Sequence, residues 1–179
     1  MRTVFIGLGS NEGDRLHAIC RAVRFLNALP QTRVMQMAPI LQTCPFGGGV
    51  QDPYLNTVVE LETTHSPSDL LESVKIIERS MGRNPNGPRW GPRPIDLDIL
   101  FYDQLVVAEP ELYIPHLWLH ERLFVLEPLA QIAPHWTHPI LRQTVAQLRD
   151  RLLESQVPSS REEDFIRSRS FEPISAFLD

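Results

Sequence analysis

The 179-residue chain is 42% hydrophobic and 22% charged, a composition that supplies one sizeable core and argues against two domains. Its 17 basic and 22 acidic residues leave a net charge of −5, so general attraction to nucleic acid or anionic lipid is not expected and any anion site must be built locally. No run of about 18 apolar residues offers a membrane span, MRTVFIGLGS lacks a signal pattern, and Cys20 and Cys44 read as small hydrophobes, which together predict a soluble cytoplasmic protein.

Thr3 to Leu8 is a β-rich run ending at Gly7-Leu8-Gly9 and reads as a first, central strand. A helix is expected next, because Leu16, Ile19, Cys20, Val23 and Leu26 keep helical spacing, Asn11 to Asp14 offers capping groups and Pro30 marks a stop. Strands are expected over 33–43 and 54–63, separated by PFGGGVQDP; in the second, Tyr54 and Asn56 face the same way. Ser66-Pro67 opens a second helix with Pro at its first position, Leu70, Val74, Ile77 and Met81 form its buried stripe, and Gly82 ends it. After RNPNGPRWGPRP at 83–94 comes a strand with a D-x-D string, then a hairpin return at Gln104 to Val107 and helical sequence from Glu121 to Pro128. A last helix is expected over about 140–154, with Leu141, Val145, Leu148 and Leu152 on one face, and residues 156–179 form a tail of no readable role. Short strands interleaved with two long helices predict an α+β sandwich, mainly antiparallel, as one domain over 1–155.

Within RWGPRPIDLDILFYD, alternation puts Ile95, Leu97, Ile99 and Phe101 on one strand face and Asp96 and Asp98 on the other. The two carboxylate-bearing residues lie roughly 6.6 Å apart, a repulsion of about 2 to 3 kcal/mol at an effective dielectric near 20. Water and salt offset that cost on an exposed face; a divalent cation offsets it on a functional one. Mg²⁺ favours oxygen and usually sits on one or two carboxylates plus substrate phosphates. The preceding segment favours the cation: three Arg, one Trp, two Gly, four Pro and no acid make a stiff cationic loop suited to phosphate oxygens.

Standard nucleotide loops do not fit. The third glycine of Gly7-Leu8-Gly9-Ser10-Asn11-Glu12-Gly13 is one position late for G-x-G-x-x-G, no Lys-Ser or Lys-Thr follows, and a tight turn is the simpler reading. No serine has a nucleophile-elbow setting, neither cysteine stands in a cysteine–histidine nucleophile motif, and the six histidines lack zinc-ligand spacing.

Four pieces in order, GLGSNEGDR at 7–15, YLNTVVELET at 54–63, RWGPRPIDLDILFYD at 89–103 and IPHLWLHERLFVLEPLAQIAP at 114–134, make the chain resemble the 6-hydroxymethyl-7,8-dihydropterin pyrophosphokinase family along residues 3 to about 152. The resemblance implies a ferredoxin-like fold and transfer of pyrophosphate from ATP to the pterin hydroxymethyl oxygen, giving AMP, in folate biosynthesis. By that likeness Asp96 and Asp98 hold two Mg²⁺ ions and Arg83 and Arg93 are the catalytic arginines. Trp90, Arg93, Ile99, His116 and Arg122 fall at ATP, and Thr43, Cys44, Phe46, Tyr54, Asn56 and Phe124 surround the pterin, with the rings of Tyr54 and Phe124 on its two faces. The partners it implies are the two small-molecule substrates, with the chain acting as a monomer and binding neither nucleic acid nor membrane. A metal-dependent nucleotidyltransferase, releasing pyrophosphate, also uses a strand D-x-D and a nearby Gly-Ser; a non-catalytic ferredoxin-like module is the other alternative.

Overall fold

The computed structural model describes residues 1–44, 52–84 and 91–155, with the backbone of 165–166. Phe46 and Trp90, two expected site residues, lie outside this set.

Strand β1 (Arg2–Ser10) buries Val4, Ile6 and Leu8 toward one face and Phe5 toward the other, as a strand covered on both sides requires. Helix α1 (Arg15–Asn27) starts where the Asp14 carboxylate accepts the His17 N–H at 3.0 Å; it buries Ile19, Ala22, Val23 and Leu26, with Cys20 half-buried beside them. Strands β2 (Thr32–Met37) and β3 (Leu41–Thr43) replace the single strand expected over 33–43. Pro39 between them has no N–H to give to a ladder, so the chain breaks there and each piece pairs with a different half of β4 (Tyr54–Thr63). Helix α2 (Pro67–Ser80) is capped by Ser66, whose hydroxyl accepts the Asp69 N–H, and the chain leaves it through Gly82 at φ 96°.

With β5 (Asp96–Tyr102) the sheet runs β5-β1-β4, then β2 and β3 along the far side of β4, all antiparallel; the backbone of β8 (Phe165–Ile166) pairs outside β3. The path β-α-β-β-α-β with strand order β5-β1-β4-β2 is ferredoxin-like, as expected. Helices α1 and α2 cover one face, over a core that includes Val4, Ile6, Leu8, Leu26, Leu61, Leu70, Ile95, Leu97 and Ile99.

The other face carries a second core, formed with α3 (Leu123–Ile132) and α4 (Val145–Ser155) from Phe5, Val58, Phe101, Leu126, Leu129, Val145 and Leu148. Phe101 was expected beside Ile95, Leu97 and Ile99 but belongs here. A bulge sets Phe5 opposite Phe101 and Ile6 opposite Ile99, so Leu100 is extra and every side chain after it changes face. Phe5 then packs edge to face against both Phe101 and Trp136, with the Phe5 and Trp136 centroids 4.9 Å apart.

Two further expectations change. The return after β5 does not join the sheet: β6 (Val107–Glu109) pairs with β7 (Leu112–Ile114) in a hairpin of its own. Helix α4 begins at Val145 rather than near 140, because Thr144 and Gln147 close a capping box, the Thr144 hydroxyl accepting the Gln147 N–H and the Gln147 side-chain Oε1 accepting the Thr144 N–H. Residues 138–141 are instead held in a turn by the buried His138, whose Nδ1 accepts the N–H groups of Ile140 and Leu141.

Candidate active site

The sheet face that carries the second core at one end is, among the described residues, bare of helix at the other. There the ladder sets Gly9 between Asn56 on β4 and Asp96 on β5, and Gly7 between Val58 and Asp98. At about 4.8 Å per strand, Asn56 and Asp96 stand roughly 10 Å apart across a glycine floor. A Cβ on Gly9 would sit 3.0 Å from Asn56 Oδ1, and one on Gly7 would sit 3.4 Å from Leu100 Cδ2. These glycines are strand residues rather than the expected turn; the turn glycine is Gly13, at φ 64°.

On the β5 side the carboxylates meet a cluster of cations. Arg83 Nη1 lies 2.6 Å from Asp96 Oδ1 and Arg93 Nη1 donates to Asp96 Oδ2 at 2.9 Å, so both oxygens of Asp96 are engaged. Arg83 also pairs with Glu78, a buried residue of α2 whose Oε1 accepts the Leu97 N–H at 2.8 Å. Burial pushes the Glu78 carboxyl up to about 7 in spite of that hydrogen bond and of Arg83. Asp98 looks onto Arg122 at 3.8 Å and His116 Nε2 at 3.9 Å; desolvation, then the charge of Asp96, raises its carboxyl to about 6, with the arginines acting in the opposite direction. The same crowding lowers His116 to about 4, burial first and Arg122 second, so the imidazole is neutral. Its Nδ1 accepts the Trp118 N–H, and its backbone N–H donates to Leu100 O on the outer edge of β5.

On the β4 side Asn56 Nδ2 donates to Thr43 Oγ1 at 2.8 Å, fixing the carboxamide with its oxygen toward Gly9. Tyr54 and Cys44 are half-buried beside it, and burial raises the Tyr54 phenol further, keeping it neutral. Phe124, at the start of α3, is half-buried under the Arg122 guanidinium, whose carbon lies 5.8 Å from the ring centroid. Of the described residues expected here, Ile99 alone turns away: its side chain is buried in the first core, on the opposite face. Its main-chain N–H and C=O, two residues beyond the outward Leu97 N–H, point off the sheet edge.

Three residues are not expected at the site from the sequence, in which Asn11 reads only as a helix-capping group. Ser10 Oγ donates to Pro94 O at 2.7 Å, and Asn11 Oδ1 accepts the Arg93 N–H at 2.8 Å while the Asn11 N–H donates to Arg93 O. The buried end of β1 thereby ties down the chain that carries Arg93. Glu78 is the third, and its signal was present: it stands four residues after Val74 and three before Met81, a charge on the apolar stripe of α2.

Among the described residues no three His, Cys, Asp or Glu side chains cluster as a metal site. Two carboxylates on one strand face, without a soft ligand, are the donor set that suits Mg²⁺ completed by phosphate oxygens. Residues 5–134 match the 7,8-dihydro-6-hydroxymethylpterin-pyrophosphokinase (HPPK) family. The chain belongs to that family. It is 42% identical over 134 residues to the 2-amino-4-hydroxy-6-hydroxymethyldihydropteridine pyrophosphokinase of Methylorubrum extorquens, covering 75% of this chain and 84% of that protein. To the enzyme of the same description from Aquifex aeolicus it is 35% identical over 149 residues, 83% of this chain and 91% of that one. A solved structure of Plasmodium falciparum HPPK-DHPS superimposes with a TM-score of 0.72 at 15% identity, covering 91% of this chain and 48% of that longer chain, a likeness of fold. As an HPPK the chain transfers pyrophosphate from ATP to 6-hydroxymethyl-7,8-dihydropterin, giving AMP and the pterin diphosphate, in folate biosynthesis. Membership sets aside the nucleotidyltransferase and the non-catalytic module.

Proposed function

We propose that pyrophosphoryl transfer runs across the Gly7–Gly9 floor, with the pterin on the β4 side and the triphosphate on the β5 side. The carrying observation is the register that sets Asn56, Gly9 and Asp96 side by side on one open face. Asp96 and Asp98 would hold two Mg²⁺ ions, which when bound neutralise the triphosphate oxygens and orient the β-phosphorus. Tyr54 and Phe124 sandwich the flat pterin, while Asn56, Thr43 and main-chain groups near Cys44 and Phe46 read its polar edge. Arg83 and Arg93, the catalytic pair, move from Asp96 to the transferring phosphates, a fork-shaped donor exchanging one set of oxygens for another. Arg122, His116, Trp90 and the main chain of Ile99 hold the rest of ATP.

The hydroxymethyl oxygen attacks the β-phosphorus in line and AMP departs. A loose transition state of this kind asks for positioning and charge neutralisation more than for a strong base, and a neutral His116 beside Asp98 fits that demand. The catalytic domain spans 1–155, a reading supported by Val145 and Leu148 of α4, which complete the second core beyond the family match, and 156–179 is a tail of unknown role. The enzyme acts as a cytoplasmic monomer; among the described residues no helix is long and apolar enough to cross a membrane.

The test is AMP formation from ATP and hydroxymethyldihydropterin with Mg²⁺ by the purified full chain, compared with the Asp96→Ala, Asp98→Ala double variant. Loss of AMP formation by orders of magnitude, with the fold intact, is expected; activity retained in the double variant refutes the site.

A further inference from the structure

We propose that Glu78 is a positioning residue for this transfer site, its carboxylate fixing the main chain between the two aspartates and holding Arg83 against the pull of Asp96. The inference rests on the reading of Asp96 and Asp98 as the metal-holding pair. Glu78 is 6% exposed and stands on the core-facing stripe of α2, a place that an ionisable group occupies only with partners. It has three. Its Oε1 accepts the N–H of Leu97, the one residue between the aspartates, at 2.8 Å. The same oxygen pairs with Arg83 Nη1, and the Glu78 carbonyl accepts the Arg83 backbone N–H at 3.0 Å.

Arg83 is therefore tied at its main chain and at its guanidinium to a residue that does not leave the core. The same Nη1 reaches Asp96 Oδ1 at 2.6 Å, so Glu78 and Asp96 share one cation. A metal ion claiming Asp96 must displace that cation, and Glu78 supplies the anion to which it falls back. On the other side, β5 is the edge strand of the main sheet among the described residues, and Glu78 is the acceptor that the outward Leu97 N–H finds there. Glu78 thus acts on both halves of the exchange, holding the backbone that aims the two carboxylates and the arginine that must vacate one of them. Gln at this place keeps an oxygen for Leu97 but removes the charge that competes for Arg83; Ala removes both.

The experiment titrates Mg²⁺ against AMP formation at saturating ATP and pterin, at pH 8, in the full chain and in Glu78→Gln, Glu78→Ala, Arg83→Ala and the Glu78→Gln, Arg83→Ala double variant, with pterin affinity followed by fluorescence. For Glu78→Gln the half-saturating Mg²⁺ concentration rises by about three- to tenfold while pterin affinity stays within about twofold. Glu78→Ala shows that rise together with a fall in kcat of about a hundredfold or more, as the strand carrying both aspartates loses its tether. In the Arg83→Ala background the Gln substitution no longer moves the Mg²⁺ midpoint. A midpoint unchanged in Glu78→Gln overturns the proposal, as does a shift of equal size with Arg83 absent, which would make the effect one of general packing. If the native chain itself forms AMP without dependence on Mg²⁺, the reading of the aspartate pair fails; if it shows that dependence and Glu78→Gln matches it, the role of Glu78 fails alone.

Discussion

Replacing the two aspartates one at a time, each by asparagine, should move stability in opposite directions. Asp96 is engaged at 2.6 and 2.9 Å by Arg83 and Arg93, all three side chains being about three-quarters buried, so Asp96→Asn leaves two guanidinium groups without their shared anion. Losing two partly buried, charge-assisted hydrogen bonds costs about 1 to 2 kcal/mol. Among the described residues Asp98 has cations no nearer than 3.8 Å, and its carboxyl is raised from 3.8 to about 6. At 1.36 kcal/mol per pH unit that shift corresponds to about 3 kcal/mol of strain in the ionised folded state, which two-fifths exposure of the side chain reduces to about 1 kcal/mol. Asp98→Asn removes this cost. In calorimetric or circular-dichroism melts at pH 7.5 with EDTA, Tm should fall by roughly 2 to 8 °C for Asp96→Asn and rise by roughly 2 to 4 °C for Asp98→Asn. Because the Asp98 pKa is raised on folding, the cost is absent below the unfolded value near 3.8 and complete above about 6, so the gain from Asp98→Asn should shrink toward nothing at pH 4. Both variants should lose AMP formation. Shifts of the same sign at pH 7.5, or a gain for Asp98→Asn undiminished at pH 4, would refute this electrostatic account.

On the pterin side, Phe124→Ala should weaken pterin binding by about 1 to 3 kcal/mol through lost aromatic contact, read by calorimetry, while the Mg²⁺ midpoint of AMP formation stays put. Gly9→Ala places a methyl group 3.0 Å from Asn56 Oδ1 and 3.9 Å from the Tyr54 ring, turning the carboxamide away from the substrate; KM for pterin should rise by about tenfold or more, with Tm changed by only a few degrees.

The ferredoxin-like path was legible because its signals are local. Apolar spacing marked both long helices, Ser66-Pro67 and Gly82 bracketed α2, and alternation identified β4 and β5. What escaped depends on contacts between distant residues or on short-range chemistry left unused. The bulge at Leu100 is a property of the β1–β5 pairing, and no alternation rule applied to β5 alone can detect it. Pro39 and the Thr144-x-x-Gln147 box, in contrast, were visible one residue at a time, and each would have corrected a boundary.

The site divides in the same way. Asp96 and Asp98 announce themselves because like charges two apart on a strand face demand an explanation, and the cationic loop before them supplies half of it. Glu78 gives a fainter signal, one charge on an apolar stripe, and its meaning lies in a neighbour nineteen positions away, the amide of Leu97. Gly7 and Gly9 are the hardest case. Glycine in sequence suggests a turn, and its role here as open floor exists only because β1 runs between β4 and β5, with Asn56 and Asp96 on either side of it. In the proposed arrangement a side chain there would stand between the pterin and the triphosphate. What the central strand contributes to the reaction is therefore the absence of a side chain, a feature that acquires its chemical sense from the two strands beside it.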